Sequence, residues 1–223
     1  MEKDKVTGPV LAIDSVSRQG SVSLINGSSV LATSSEASGN PARAEELILV
    51  INDVLETCKM TLEDLTGIAV ATGPGSYSGI RIGMATAAGL SSARRIPAFG
   101  VSLLEGLAMT LDSGSVTTAV RAGKHDIAYQ EFVVIDREPR PVAPPVQDSE
   151  KNFVSMLGAG KRVVACDSEL GKDLTDMLPD DIELLDAGFG LASLVGLFAT
   201  RFPDRSPLQP FYLRNIGHTA AGF

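Results

Sequence analysis

The sequence predicts two α/β lobes related by duplication, and two observations carry that expectation. Strand-like runs precede helix-like runs in both halves of the 223-residue chain, the order that builds sheets flanked by helices. In the first half a glycine-rich turn joins an apolar strand directly to an uncharged helix. No residue-level internal repeat accompanies this repeated order of elements.

The elements follow in sequence. Residues 10–13, 21–25 and 30–33 read as three successive strands, with Asn26-Gly27 as the hairpin turn between the second and third. Asp14 ends the first strand and is followed by Ser15, Ser17 and Gly20. This polar turn either faces a ligand or closes a hairpin capped by the carboxylate. A helix is expected over 42–58, where Leu47, Ile51, Val54 and Cys58 form one stripe, Ile48, Val50 and Leu55 widen it, and Leu49 lies on the polar side. Residues 68–72 read as a buried strand and 82–93 as a helix with no charge between Arg81 and Arg94. After a strand at 97–101 comes a helix at 103–111. Strands at 116–122 and 127–135 open the second half, and Pro139, Pro141, Pro144 and Pro145 mark an irregular connection. Helices near 150–157, 170–178 and 191–202 surround a strand at 163–166.

The segment 73–83, GPGSYSGIRIG, places four glycines at the strand-to-helix turn. Bare backbone N–H groups at a helix N-terminus attract anions, so Asp14, Gly73, Gly75, Ser76 and Gly79 are candidate anion or nucleotide contacts. The turn lacks the Lys-Ser/Thr ending of a Walker loop and misses the dinucleotide spacing by one residue. The alternative is structural, with the glycines setting the helix close to the sheet. A second candidate surface comes from the helices themselves. Leu47, Ile51 and Val54 on one, with Ile82, Met84, Ala85, Ala88 and Gly89 on the other, suggest an apolar, close-packing face turned toward another subunit. The competing reading buries them under the rest of this chain.

Composition bounds the function classes. With 44% hydrophobic and 21% charged residues the chain is an ordinary globular protein, and its net charge of -8 argues against a broad grip on nucleic-acid phosphates. Any RNA is expected to be held by a partner. Cys58 and Cys166 stand far apart without a CxxC, so neither zinc nor a disulfide is expected, and both read as buried residues in a reducing compartment. His125 and His218 are the two histidines, in no HxxxH or HExxH pattern, so no metal site is expected. Residues 1–9 resemble no signal peptide and the longest apolar stretch, 188–200, is too short to span a bilayer, which makes the cytoplasm the expected location.

Three blocks in order, LAIDS at 11–15, GPGSYSGIRIG at 73–83 and FYLRN at 211–215, resemble the TsaB (YeaZ) family. The resemblance is strong before Val101 and weaker after it. It implies an actin-like ATPase (ribonuclease H-like) fold with a mixed sheet flanked by helices in each lobe. The lobes would cover residues 1–102 and 103–223, with about 190–223 packing back on the first. It also implies a noncatalytic subunit for making N6-threonylcarbamoyladenosine in tRNA, docked through first-lobe helices on the catalytic TsaD and working with the ATPase TsaE. ATP or ADP with magnesium would belong to the complex, tRNA would be reached indirectly, and the isolated chain would form a homodimer. Arg43, where many members carry His, and Arg121-Ala-Gly123, where the usual block is Asp-Ala-Arg, mark this chain as divergent. The alternatives are a small-molecule kinase or ATPase, with Asp14 near magnesium and the glycine turn near phosphate, and a peptidase.

Overall fold

A computed structural model describes residues 6–34, 43–157, 162–188 and 190–213. Its first sheet is built from β1 (Pro9–Asp14), β2 (Ser21–Asn26), β3 (Ser29–Thr33), β4 (Gly67–Gly73) and β5 (Ala98–Ser102), in the order β3-β2-β1-β4-β5. The second holds β6 (Gly114–Arg121), β7 (Asp126–Ile135), β8 (Glu138–Pro141), β10 (Arg162–Cys166) and β11 (Ile182–Asp186), in the order β11-β10-β6-β7-β8, with β9 (Val146–Ser149) also paired to β7. Each sheet path has two antiparallel pairings at one end and two parallel pairings at the other. The duplication inferred from element order is therefore present in topology, and the architecture is the two-lobed actin-like one with mixed sheets.

Among the described residues, six α-helices complete a five-layer stack. α1 (Ala44–Thr57) and α2 (Tyr77–Arg94) cover the outer face of the first sheet. Strand alternation aims Leu11, Ile13, Val22, Leu24, Ile68 and Val70 at them. Val10, Ala12, Ile25, Ala69 and Ala71 point the other way, into a core shared with α3 (Leu103–Ala108), α6 (Ala192–Arg201) and the inner face of the second sheet. α4 (Glu150–Leu157) and α5 (Ser168–Thr175) close the far side through Phe153, Leu157, Leu170 and Leu174. α6 packs on the first sheet so closely that a Cβ on Gly196 would strike Ile25 and Ala12.

Two sequence expectations change. The proline-rich connection after β7 contains two short strands. Pro139 and Pro141 sit on β8, at the end of the sheet, where a missing N–H costs no ladder bond. β11 has no counterpart among the expected strands, because Ile182-Glu-Leu-Leu-Asp186 is only partly buried and lacks clean alternation. The helix expected at 42–58 begins at Ala44 among the described residues, and Ala42, Arg214, Asn215 and His218 lie outside them.

Candidate partner interface and interlobe crevice

The glycine turn leaves β4 through Gly73 and Gly75, at φ 122° and 145°, in the left-handed region that favours glycine. Ser76 caps α2, its Oγ accepting from Gly79 N at 3.1 Å. The helix then presses on the turn after β1. Ser15 Oγ donates to Gly79 O at 2.8 Å, and a Cβ on Gly79 or Gly83 would collide with Ser15. One on Gly75 would come within 2.7 Å of Val16. Ser76 N donates to Val16 O at 3.2 Å, so turn N–H groups serve internal bonds. Each of these glycines is thus required by close approach within the chain.

Asp14 is 0% exposed. Its Oδ1 accepts from Val16 N (2.9 Å) and Ser17 N (3.0 Å), and its Oδ2 from Ser17 Oγ (2.5 Å) and Leu191 N (3.2 Å). The carboxylate closes its own turn and ties it to the start of α6. Across the crevice Arg18 pairs with Glu169 at 2.5 Å. Asp167 caps α5 through Glu169 N and Leu170 N. Burial pushes its pKa up against those two bonds, and the Asp14 charge adds to the rise. Arg121 pairs with Glu150 and, at 2.6 Å, with Asp173, holding α4 and α5 to the end of β6. The gap between Pro74, Leu103, Val120 and Leu170 encloses about 20 Å³, room for a water and far below a cofactor site. These residues do not fit a nucleotide with magnesium.

The outer helices divide sharply. Leu47, Ile51 and Val54 are fully packed inside this chain against the first sheet, which corrects their assignment to an outward face. Once the sheet is present, the wide stripe on α1 is mostly accounted for; Ile48 and Leu49, the latter 63% exposed, are what remains outside. Ile82 and Met84 are half-buried against the same core. Ala85, Ala88 and Gly89 are exposed, and a Cβ on Gly89 would meet nothing within 4 Å.

Sequence reasoning missed the head of that stripe. Tyr77, 57% exposed, lies 5.3 Å from the ring of Tyr212, with the Arg81 guanidinium 4.7 Å over its face. A tyrosine set between Ser76 and Ser78 at a helix start, with a second in the FYLRN block, was the available signal. Tyr77, Arg81, Ala85, Ala88 and Ser92 follow helical spacing along one outward line.

The remaining candidates are structural. Arg43 stands at the α1 N-cap and pairs with Glu46 at 3.1 Å on the surface. His125 is exposed in the β6–β7 turn. Cys166 is buried, which pushes its thiol up to about 12, an inert cysteine. Among the described residues no group of three or more His, Cys, Asp or Glu could hold a metal, and no helix is long and apolar enough to cross a membrane.

Comparison with known proteins adds family to fold. The family model described as TsaD, tRNA N6-adenosine threonylcarbamoyltransferase, matches residues 40–171, more than half of the chain. The tRNA threonylcarbamoyladenosine biosynthesis protein TsaB of Escherichia coli K12 is 33% identical over 131 residues, 55% of this chain and 54% of that protein. The chain thus spans about half the length of that relative. The tRNA N6-adenosine threonylcarbamoyltransferase of Ruegeria sp. TM1040 is 42% identical over 69 residues, 31% of this chain and 19% of that protein. A crystal structure of a Pseudomonas aeruginosa protein with similarity to peptidase YeaZ superposes with a TM-score of 0.72 at 22% identity, covering 93% of this chain and 100% of that one. This last likeness is one of fold. The family match over more than half of the chain, joined to the three sequence blocks, shows that this protein belongs to the TsaD family and, within it, to the TsaB (YeaZ) group.

Proposed function

We propose that this chain is a noncatalytic scaffold or activator subunit in the formation of N6-threonylcarbamoyladenosine in tRNA, docking on a TsaD-like catalytic subunit. The observation that carries the reading is the outward line of α2. Small residues at Ala85, Ala88 and Gly89 let a partner backbone approach, and an exposed Tyr77, Arg81 and Tyr212 cluster at one end has the composition of a binding hot spot. Ile48 and Leu49 on α1 add apolar surface. A TsaE-like ATPase and tRNA are reached through that complex, in keeping with a net charge of -8. Without the partner the same surface self-associates as a homodimer.

The crevice supports a subunit that binds no nucleotide by itself, because Asp14 is consumed internally and the free space is small. ATP or ADP with magnesium then belongs to the assembled complex. The decisive experiment is copurification with a TsaD-like protein. The double variant Ala85→Arg/Ala88→Arg, shown to be folded by circular dichroism, is expected to lose the partner, since a buried unpaired charge is strongly unfavourable. Undiminished copurification rejects the interface. Titration of the isolated chain with magnesium-ATP is expected to give no binding heat, whereas tight binding with turnover would favour a kinase or ATPase.

A further inference from the structure

Two arginines stand apart from the rest of the chain. Among the described residues the other arginine side chains pair with carboxylates, as Arg94 does with Glu63 at 2.5 Å and Arg205 with Glu105 at 3.0 Å, or, in Arg201, donate to the carbonyl of Asp136. The guanidinium groups of Arg81 and Arg95 do neither among the described residues, and both are exposed.

Both belong to α2, at the two ends of its outward line. Arg81 comes one turn after Tyr77, and Arg95, the C-cap residue, comes three positions after Ser92. At 1.5 Å per residue they stand about 21 Å apart along the axis. Between them the exposed positions Ala85, Ala88 and Gly89 carry no charge. The helix dipole accounts for a cation at the C-cap but not for Arg81, which is the first charge on a helix with no acid in its opening turn. Arg81 is instead held over the Tyr77 ring at 4.7 Å, so less freedom is lost when its charge is paired. The surface is therefore two fixed cations bracketing a close-packing stripe, in a chain whose net charge is -8.

This charge pattern discriminates among occupants. Ala88 is the midpoint between Arg81 and Arg95, so a twofold pairing of α2 with itself there would set like charges against each other, which makes a second copy the weaker occupant. A nucleic-acid strand of the same span would lay its intervening phosphates on alanine and glycine, without a cation. We propose that the partner presents a helix to α2 with two carboxylates about 21 Å apart, one for Arg81 and one for Arg95, on either side of small or apolar positions. The inference rests on the docking reading above and names what that partner must carry.

The test measures association and dissociation rates between the full chain and the TsaD-like subunit of the same organism over a series of salt concentrations. Neither guanidinium has a partner within the fold, so Arg81→Gln/Arg95→Gln is expected to stay folded by circular dichroism. At low salt it is expected to associate about tenfold more slowly and to lose most of the salt dependence of the wild type, with a smaller change in dissociation. Arg81→Lys/Arg95→Lys, which keeps the charges, is expected to retain the salt dependence. If the glutamine pair fails to fold, Arg95→Gln alone is expected to show part of the same loss. Unchanged association and salt dependence in the glutamine pair, while Ala85→Arg/Ala88→Arg abolishes capture, overturns the acidic partner and leaves the docking reading standing. Capture undiminished in both pairs overturns both. Binding of tRNA to the isolated chain that disappears in the glutamine pair assigns the arginines to phosphates and overturns the proposal as well.

Discussion

The inward and outward sides of α2 are made of the same residue types. Gly79, Gly83 and Ala87 face β1 and β4, while Ala85, Ala88 and Gly89 face solvent. Inside, a glycine is needed because Ser15 occupies the place of a side chain; outside, a Cβ on Gly89 has open space. Small size on one side is explained by this chain's own packing, and on the other it is not. A mid-helix glycine costs about 1 kcal/mol against alanine, and nothing within the fold offsets that cost at Gly89. The unexplained side is the one assigned to a partner.

The sharpest way to break this contrast is Gly79→Ala. Its Cβ would meet the Ser15 carbonyl, a backbone group with little freedom to yield, and a loss of about 3 kcal/mol is expected in urea denaturation, the upper end for overpacking. A neutral result would mean that the inward glycines are not required. Next comes Asp14→Ala, which removes the support of the turn beneath them. Val16 N, Ser17 N and Leu191 N would lose their acceptor, and a loss of roughly 2–3 kcal/mol is expected in the same assay.

On the outward side the sign reverses. Gly89→Ala is expected to stabilise the isolated chain by about 1 kcal/mol while weakening capture of a TsaD-like partner; destabilisation of the isolated chain would erase the difference between the two sides. The smallest effect is expected for Asp167→Asn, facing Asp14 across the crevice. The folded pKa of Asp167 lies above its ordinary 3.8, so the native state holds the proton more tightly. Its contribution to stability therefore falls as pH rises from that value through the folded pKa. The amide keeps a capping oxygen and has no such proton. The decline in urea midpoint with rising pH should be shallower in the variant, and an unchanged slope would show that Asp167 is not held under strain beside Asp14.

The sequence made the layers legible where periodicity and turn chemistry agree. Asn26-Gly27 marked the β2–β3 hairpin, and the apolar run of β1 and the stripe on α1 marked surfaces that do pack. It failed where identity of residue does not reveal environment. Leu47, Ile51 and Val54 would look the same under a sheet or under a partner, and a sheet covers them. β8 escaped because proline argues against a strand except at an edge, and edges are set by topology. A groove lined by Gly100, Gln130, Phe132 and Phe211 was illegible for a further reason. Its walls come from β5, β7 and the segment 205–211, far apart in sequence and joined only by the fold.

The seating of α6 on the first sheet has a consequence for synthesis. Ala192 N donates to Ser21 Oγ across 171 positions, and α6 covers the face that carries Val10, Ala12 and Ile25. On a ribosome adding about 5–20 residues per second, that face waits on the order of 10 s for its cover. During the wait the nascent sheet is an adhesive apolar surface, and the first half of the chain is where a chaperone has most to shield.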